Sequence, residues 1–251
     1  MNMKLVHHLR AQSYHINRFG VVSTPFLFWY MQEIAWEHAQ KLGFGFDDLR
    51  EEKLFWVLSR FLVKIERRPR WKEEFMLETW SRGTDGFFAY RDFRFVDQSG
   101  KEFIMATSSW LALNLQTRHI HRLNRMKNFP AYQESLFGYN AGKVNSPEAP
   151  EEITFFPVLF NEIDINQHFN SGRYLERLNN SYSFDFHENH ILKELEVNFV
   201  QEGLPFDNLG VKQQRLTSTE HLCSVIRESD RAELIRARLI WESGKWYPED
   251  I

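Results

Sequence analysis

Cysteine is almost missing from this chain. The single one, Cys223, excludes an intramolecular disulfide and leaves no CxxC pair for a metal or for thiol exchange. An excess of one charge is missing too: 31 Lys and Arg face 34 Asp and Glu, a formal net charge of −3. No general pull toward nucleic acid follows from that balance. No apolar run is long enough to cross a bilayer; the strongest, residues 153–160, is short and contains Pro157. The first ten residues are polar, with His7, His8 and Arg10, and lack the apolar centre of a secretory signal. A soluble cytoplasmic protein that needs no membrane is the expectation. Asn179-Asn180-Ser181 matches a glycosylation acceptor with no such signal beside it.

Several catalytic signatures are absent as well. There is no GxSxG elbow for a serine hydrolase. There is no phosphate loop or GxGxxG; Gly43-Phe44-Gly45 lacks the third glycine. His187-Glu188-Asn189-His190 has the wrong spacing for a zinc-protease helix. His119 and His121 share a strand face, but with no Cys or acidic cluster beside them no metal and no cofactor are expected.

What the chain has in quantity is aromatic side chains, 16% of the total, with 23 Phe. They suit a thick core or an apolar ligand pocket. The length of 251 residues allows one large domain or two modules. Ser23-Thr24-Pro25 reads as a helix start, a hydroxyl cap followed by proline in the first turn. Leu27, Met31, Ile34, His38 and Leu42 then fall near one face, and Gly43 supplies a stop. Strand-like runs follow at residues 55–66, 75–82, 87–96 and 101–114, with a turn signal at Asp97-Gln98-Ser99-Gly100. One long helix and four strands with hairpin links predict an antiparallel sheet packed on that helix.

Residues 129–152 change character, with Pro130, Pro147 and Pro150 among Gly138, Gly142, Asn140 and Asn145. They read as a linker between two units, 1–128 and 153–251. The second unit repeats the order of the first. A strand over 153–163 leads to a polar loop, a helix over 171–186, and strands at 192–201, 207–217, 220–227 and 232–241.

The polar loop is Asp164-Ile165-Asn166-Gln167-His168-Phe169-Asn170. In an extended loop, residues two apart share a side, so Asp164, Asn166 and His168 would point together. A carboxylate, an amide and an imidazole so arranged suit a hydrolytic site. An Asx-rich turn capping the next helix explains the same residues. Laying one half over the other puts Asn17 opposite Asp164, Phe19 opposite Asn166, Val21 opposite His168 and Ser23 opposite Asn170. Further on, Arg68 falls opposite Glu202 and Glu73 opposite Asp207. The repeat is one of pattern. Only the second half keeps the polar set.

Further stretches carry a resemblance. They are Met31-Gln32-Glu33-Ile34-Ala35, Trp56-Val57-Leu58-Ser59-Arg60, Arg67-Arg68-Pro69-Arg70-Trp71, Glu78-Thr79-Trp80, Arg91-Asp92-Phe93 and Ala106-Thr107-Ser108-Ser109-Trp110. With the polar loop and Val197-Asn198-Phe199-Val200-Gln201-Glu202, their order and spacing resemble the acyl-acyl-carrier-protein thioesterases of plants and bacteria over most of the chain. The resemblance implies an α+β fold, a tandem (double) hotdog with antiparallel sheets each wrapped around a long helix. It implies hydrolysis of a fatty acyl thioester on acyl-phosphopantetheine of an acyl carrier protein (ACP), without cofactor or metal. The family pattern, Asp-x-Asn-x-His plus a Glu from a later strand, is matched by Asp164, Asn166, His168 and Glu202. Many plant members place a Cys directly after that Glu; here stands Gly203, so attack by water is the expected chemistry.

On that reading Glu202 is the base or water-holder, with His168 sharing the duty or polarising the carbonyl. Asn166 orients water or substrate, and Asp164 supports a neighbour. Backbone N–H groups around Asn170 and Gly172 are candidate oxyanion donors. The first unit would be acyl-binding and non-catalytic, with Phe26, Trp29, Tyr30, Trp56 and Phe61 as candidate lining; core packing accounts for them equally. Lys64, Arg67, Arg68, Arg70 and Lys72 form a basic run that suits an acidic carrier protein, or a charged strand edge. An acyl-coenzyme A thioesterase, a non-catalytic acyl-binding module and a hydratase on the same fold stand as alternatives, and either a monomer or a homodimer is compatible.

Overall fold

A computed structural model gives the architecture and describes residues 4–125, 134–148 and 153–246. The first half holds β1 (Lys4–Arg10), α1 (Thr24–Lys41), α2 (Phe46–Glu51), β2 (Leu54–Ile65), β3 (Glu74–Thr84), β4 (Phe88–Val96), β5 (Glu102–Asn114) and β6 (Ile120–His121). The second holds β7 (Phe155–Pro157), α3 (Ser171–Asn180), α4 (Phe184–Asn189), β8 (His190–Phe199), β9 (Asn208–Arg215), β10 (Glu220–Arg227) and β11 (Glu233–Ser243). All these strands join one antiparallel sheet in the order β1-β3-β4-β5-β2-β8-β11-β10-β9-β7, with β6 on β5.

The seam between the halves is the β2–β8 pair, from Arg60 opposite Asn198 to Lys64 opposite Glu194. The expected linker, residues 129–152, lies partly outside the described residues. Its described part is strapped across this seam. Val144 N–H donates to Asn198 Oδ1 (2.7 Å), Asn198 Nδ2 to Gly142 O (2.8 Å) and Leu136 N–H to Asp92 Oδ2 (3.0 Å). Backbone polar groups that leave the sheet thus find side-chain partners on it.

Helix α1 starts after Ser23 with Pro25 in its first turn and ends before Gly43, whose φ of 76° needs no Cβ to be accommodated. Its buried face, Leu27, Phe28, Met31, Ile34 and Ala35, lies on the sheet over Phe75, Leu77, Phe93 and Phe95. Phe28 approaches Phe199 of β8 across the seam (ring centroids 6.4 Å apart), so one apolar core spans both halves. Each fully buried Phe or Leu there contributes about 2–3 kcal/mol. No helix of the described residues is long and apolar enough to cross a membrane.

Three segments depart from the pattern read in the sequence. The strand expected over 153–163 is only Phe155–Pro157. Pro157 has no N–H to extend the ladder, and the chain folds into a tight turn at Phe160–Glu162. The helix expected over 171–186 breaks. Ser181 Oγ–H donates to Leu178 O (2.7 Å), and Ser183 starts α4 by accepting from Phe186 N–H (3.1 Å). Lys4–Arg10 forms an edge strand on β3 that its polar composition conceals.

Candidate active site

The turn after Glu162 is built by its first polar residue. Asp164 Oδ1 accepts from Asn166 N–H (2.8 Å) and His168 N–H (3.2 Å), and Asp164 N–H donates to His168 O (2.8 Å). Gln167 takes the left-handed position, φ 65°. Phe169 N–H donates to Gly203 O (2.8 Å), which brings the end of β8 beside the turn. Asn170 caps α3 through Gly172 N–H (2.9 Å), and Trp29 of α1 donates its indole N–H to the same Asn170 oxygen (3.1 Å). Asp164 thus ties the turn together, and Asn170 caps α3. Gly172 N–H is engaged in that cap, so the expectation that it serves an oxyanion is not met.

The first half contains the same turn. Asn17 Oδ1 accepts from Phe19 N–H (3.0 Å) and Val21 N–H (3.4 Å), Asn17 N–H donates to Val21 O (2.8 Å), and Gly20 has φ 71°. Val22 N–H donates to Pro69 O (2.9 Å), as Phe169 N–H does to Gly203 O. The flanks match as well. Gln12 N–H donates to His15 Nδ1 (3.0 Å), and Leu159 N–H donates to Glu162 Oε2 (2.8 Å). His15 in turn meets Tyr30, and Glu162 meets Arg177. Apart from Gly203, which stands 134 positions after Pro69, each of these residues of the second half stands 147 positions after its counterpart.

Around the second turn the polar side chains divide. His168 Nε2 lies 3.3 Å from Glu202 Oε2, and both side chains are partly open to solvent. Asp164, Asn166 and Asn170 face a cavity of about 520 Å³ instead. Among the described residues, the Asn166 side chain makes no hydrogen bond. The structure thus joins His168 to Glu202 directly and sets Asp164 and Asn166 on the cavity side of the same turn.

Ile165 joins them, and the rest of the cavity belongs to the first half: α1 contributes Trp29, Ala35, Trp36 and Ala39, and the sheet Phe55, Trp56, Tyr90, Arg91 and Trp110. Of the five aromatic candidates, Trp29 and Trp56 line it. Phe61 is core, Tyr30 bonds His15, and Phe26 packs against Trp29. Burial at and behind the cavity wall disfavours the charged forms. The Arg91 guanidinium is pushed down to about 10 by desolvation. His38, on which it donates at 2.8 Å, is pushed down to about 4 by burial and then by the Arg91 charge. The basic run fares differently from its expectation: Arg68 is buried, donating to Val22 O (3.0 Å) and Thr24 Oγ1 (2.9 Å), and cannot meet a partner.

Position 203, directly after Glu202, is closely packed. A Cβ there would stand 2.8 Å from Tyr174 Oη and 2.9 Å from Phe169 Cβ, so this packing requires glycine. Cys223 is fully buried on β10 beneath Tyr182. One residue of the site escaped the sequence: Arg118, from the β5–β6 turn of the first half, pairs with Glu202 (Nη2 to Oε2, 3.1 Å). Asn114 followed by Gln116-Thr117 signals a turn there, but nothing local says that the turn reaches the other half.

Comparison with known families bears on this geometry. The models of the acyl-ACP thioesterase N-terminal and C-terminal domains match residues 4–126 and 145–243. The chain belongs to the acyl-ACP thioesterase family. Among curated relatives of this family, the chloroplastic palmitoyl-acyl carrier protein thioesterase of Gossypium hirsutum is 24% identical over 92% of this chain and 62% of its own length. A chloroplastic acyl-[acyl-carrier-protein] hydrolase of Cuphea viscosissima is 24% identical over 94% and 61%. The chain thus spans about three fifths of the length of these relatives. Among solved structures, an acyl-ACP thioesterase from Bacteroides thetaiotaomicron superposes with a TM-score of 0.88, at 24% identity over 96% of this chain and 98% of that one. The 12:0-ACP thioesterase from Umbellularia californica superposes at 0.84, with 21% identity over 97% and 99%. These likenesses show the fold: a large antiparallel sheet with few helices, as in acyl-ACP thioesterases.

Proposed function

We propose that this chain hydrolyses fatty acyl thioesters of acyl carrier protein, releasing a free fatty acid and the carrier thiol. Two hotdog units in tandem divide the work. The unit of residues 1–128 encloses the acyl chain, and the unit of residues 153–251 supplies the polar groups. The observation that carries the reading is the cavity that α1 and the first-half sheet line, reaching Asp164 and Asn166 on the turn that also bears His168. Its volume falls within the range of about 300–1,000 Å³ typical of small-molecule sites.

Glu202 takes a proton from a water molecule whose oxygen adds to the thioester carbon. His168, sharing Glu202 Oε2, orients that carboxylate and the water. Asn166, with its amide uncommitted, steers the carbonyl, and Asp164 holds the turn while its carboxylate, on the cavity side, orients the polar groups beside it. Collapse of the tetrahedral species breaks the C–S bond, and the departing sulfur takes the proton back from Glu202. The net change is addition of one water across the thioester.

The test is thiol release from matched acyl chains on carrier protein and on coenzyme A. The carrier ester is expected to turn over faster; equal or faster turnover of the coenzyme A ester refutes the carrier assignment. Glu202→Ala and His168→Ala should each lower hydrolysis about 100-fold or more in a folded chain. Full activity in both removes these residues from the site, and a wild-type chain inactive on every chain length is a binding module.

A further inference from the structure

Arg118 sits in a turn made to present it. Asn114 Oδ1 accepts from Gln116 N–H (3.0 Å) and Thr117 N–H (2.9 Å), Arg118 N–H donates to Asn114 O (2.9 Å), and Leu115 N–H anchors the turn on Lys53 O (2.9 Å). Arg118 itself has φ 59°, a left-handed conformation that glycine or asparagine adopts more readily than arginine. A turn serving only to connect β5 to β6 has no need of arginine there. The side chain crosses to the second half with its guanidinium carbon 5.0 Å from the Phe55 ring centroid. There Nη2 stands 3.1 Å from Glu202 Oε2 and 3.5 Å from His168 Nε2, while Nη1 stands 3.5 Å from Glu202 Oε1.

The three groups form a triangle with one choice in it. His168 Nε2 donates to Glu202 only when it carries a proton, and accepts from Arg118 only when it does not. Arg118 always donates. It grips both oxygens of Glu202 as a fork, which fixes the carboxylate whichever way the imidazole is protonated. As a half-exposed ion pair it adds little to stability, being screened by solvent. Phe55, under the guanidinium, is also a wall of the acyl cavity. The acyl-binding half therefore reaches the reacting pair through Arg118.

We propose that Arg118 is a positioning residue for the hydrolysis: the first half uses it to hold the Glu202 carboxylate against His168. This rests on the reading of Glu202 and His168 as the reacting pair. The experiment compares Arg118→Ala, Arg118→Lys, Glu202→Gln and the Arg118→Ala/Glu202→Gln double variant by thiol release from acyl carrier protein, alongside thermal melting. Arg118→Ala is expected to lower kcat about 10- to 100-fold with KM and Tm unchanged. Lysine, a point charge without the fork, restores only part of the rate. Millimolar guanidinium restores part of the rate in Arg118→Ala and none in the wild type. In the double variant, Arg118→Ala adds little to the loss from Glu202→Gln, because the two act as a unit. Wild-type kcat in Arg118→Ala beside an inactive Glu202→Gln overturns this inference alone. So does a rise in KM at constant kcat, which makes Arg118 a carrier contact, or a loss that guanidinium leaves untouched, which makes it a strut. Full activity in Glu202→Gln overturns both this inference and the reading beneath it.

Discussion

The turn at residues 17–23 and the turn at residues 164–170 share their hydrogen bonds and differ in what they hold up. In the first, Val21 is buried and Phe19 stacks on Trp246 with ring centroids 5.0 Å apart. In the second, His168 meets Glu202 and Asn166 faces the cavity. The partner segments diverge in the same way. Arg68 folds inward onto Val22 O and Thr24, whereas Glu202 faces Arg118 and His168. The interiors diverge in the opposite sense. Ala35 and Ala39 leave room for the cavity in the first half. Counting on by the same 147 positions gives Tyr182 and Phe186, which stack at 4.7 Å and pack on Trp241 and His221. On the proposed reading, one half has kept space and the other chemistry. The shared backbone also teaches what is merely structural: Asn17 builds the turn with an amide, so the turn as such needs no negative charge at Asp164.

Copying the first turn into the second is the strongest way to break this comparison. His168→Val, after Val21, should remove about 99% of the hydrolytic rate or more while the melting temperature stays close to that of the parent. Retained activity in a folded His168→Val chain would falsify the assignment of chemistry to the second turn.

A second prediction concerns what the two interiors share. Each holds a neutral histidine, His38 in the first half and His221 in the second, each pushed down to about 4 chiefly by burial. Their folded values lie below the ordinary 6.5, so the unfolded chain binds protons first as pH falls. The stabilisation is present above pH 6.5 and is lost between about 6.5 and 4, on the order of 3 kcal/mol for each histidine. Urea midpoints measured across that window should fall, and His38→Gln, which keeps an acceptor for Arg91, should flatten the slope. A midpoint independent of pH would contradict the buried-neutral account.

A smaller effect tests the charge at Asp164. Asp164→Asn reproduces the turn that Asn17 already makes, so folding should be unaffected while kcat falls about tenfold. The reciprocal Asn17→Asp should leave kcat unchanged. If the two substitutions behave alike, Asp164 is a cap and nothing more.

Much of this was legible in the sequence where the signal is local. Ser23, Pro25 and Gly43 mark the ends of α1, and most strands of the sheet coincide with apolar runs closed by turn residues. The turn repeat was legible too, because Asx capping fixes residue type at fixed offsets. What depends on long-range contact was not. Arg118 reaches Glu202 across 84 positions, and no periodicity encodes that. The burial of Arg68 within a basic run needed the packing of Thr24 and Val22 around it. The break after Asn180 was hidden because Tyr174, Leu178, Tyr182 and Phe186 keep helical spacing through it. His168 and Glu202 were legible as residues, but the separation of Asp164 and Asn166 onto the cavity side became visible only with the turn closed.

The central claim is that the halves divide the labour, space in the first and reaction in the second. The measurement closest to it is the rate of thiol release over a series of acyl chain lengths on carrier protein, for the wild type, Ala39→Phe and His168→Val. Ala39→Phe brings Phe186 of the second half to the equivalent place in the first. It should lose the longest chains while sparing the shortest, with a thermal transition confirming the fold. His168→Val should lower the rate by one factor at every length. A His168→Val chain with a shifted length profile, or an Ala39→Phe chain slowed equally at all lengths, would contradict the division.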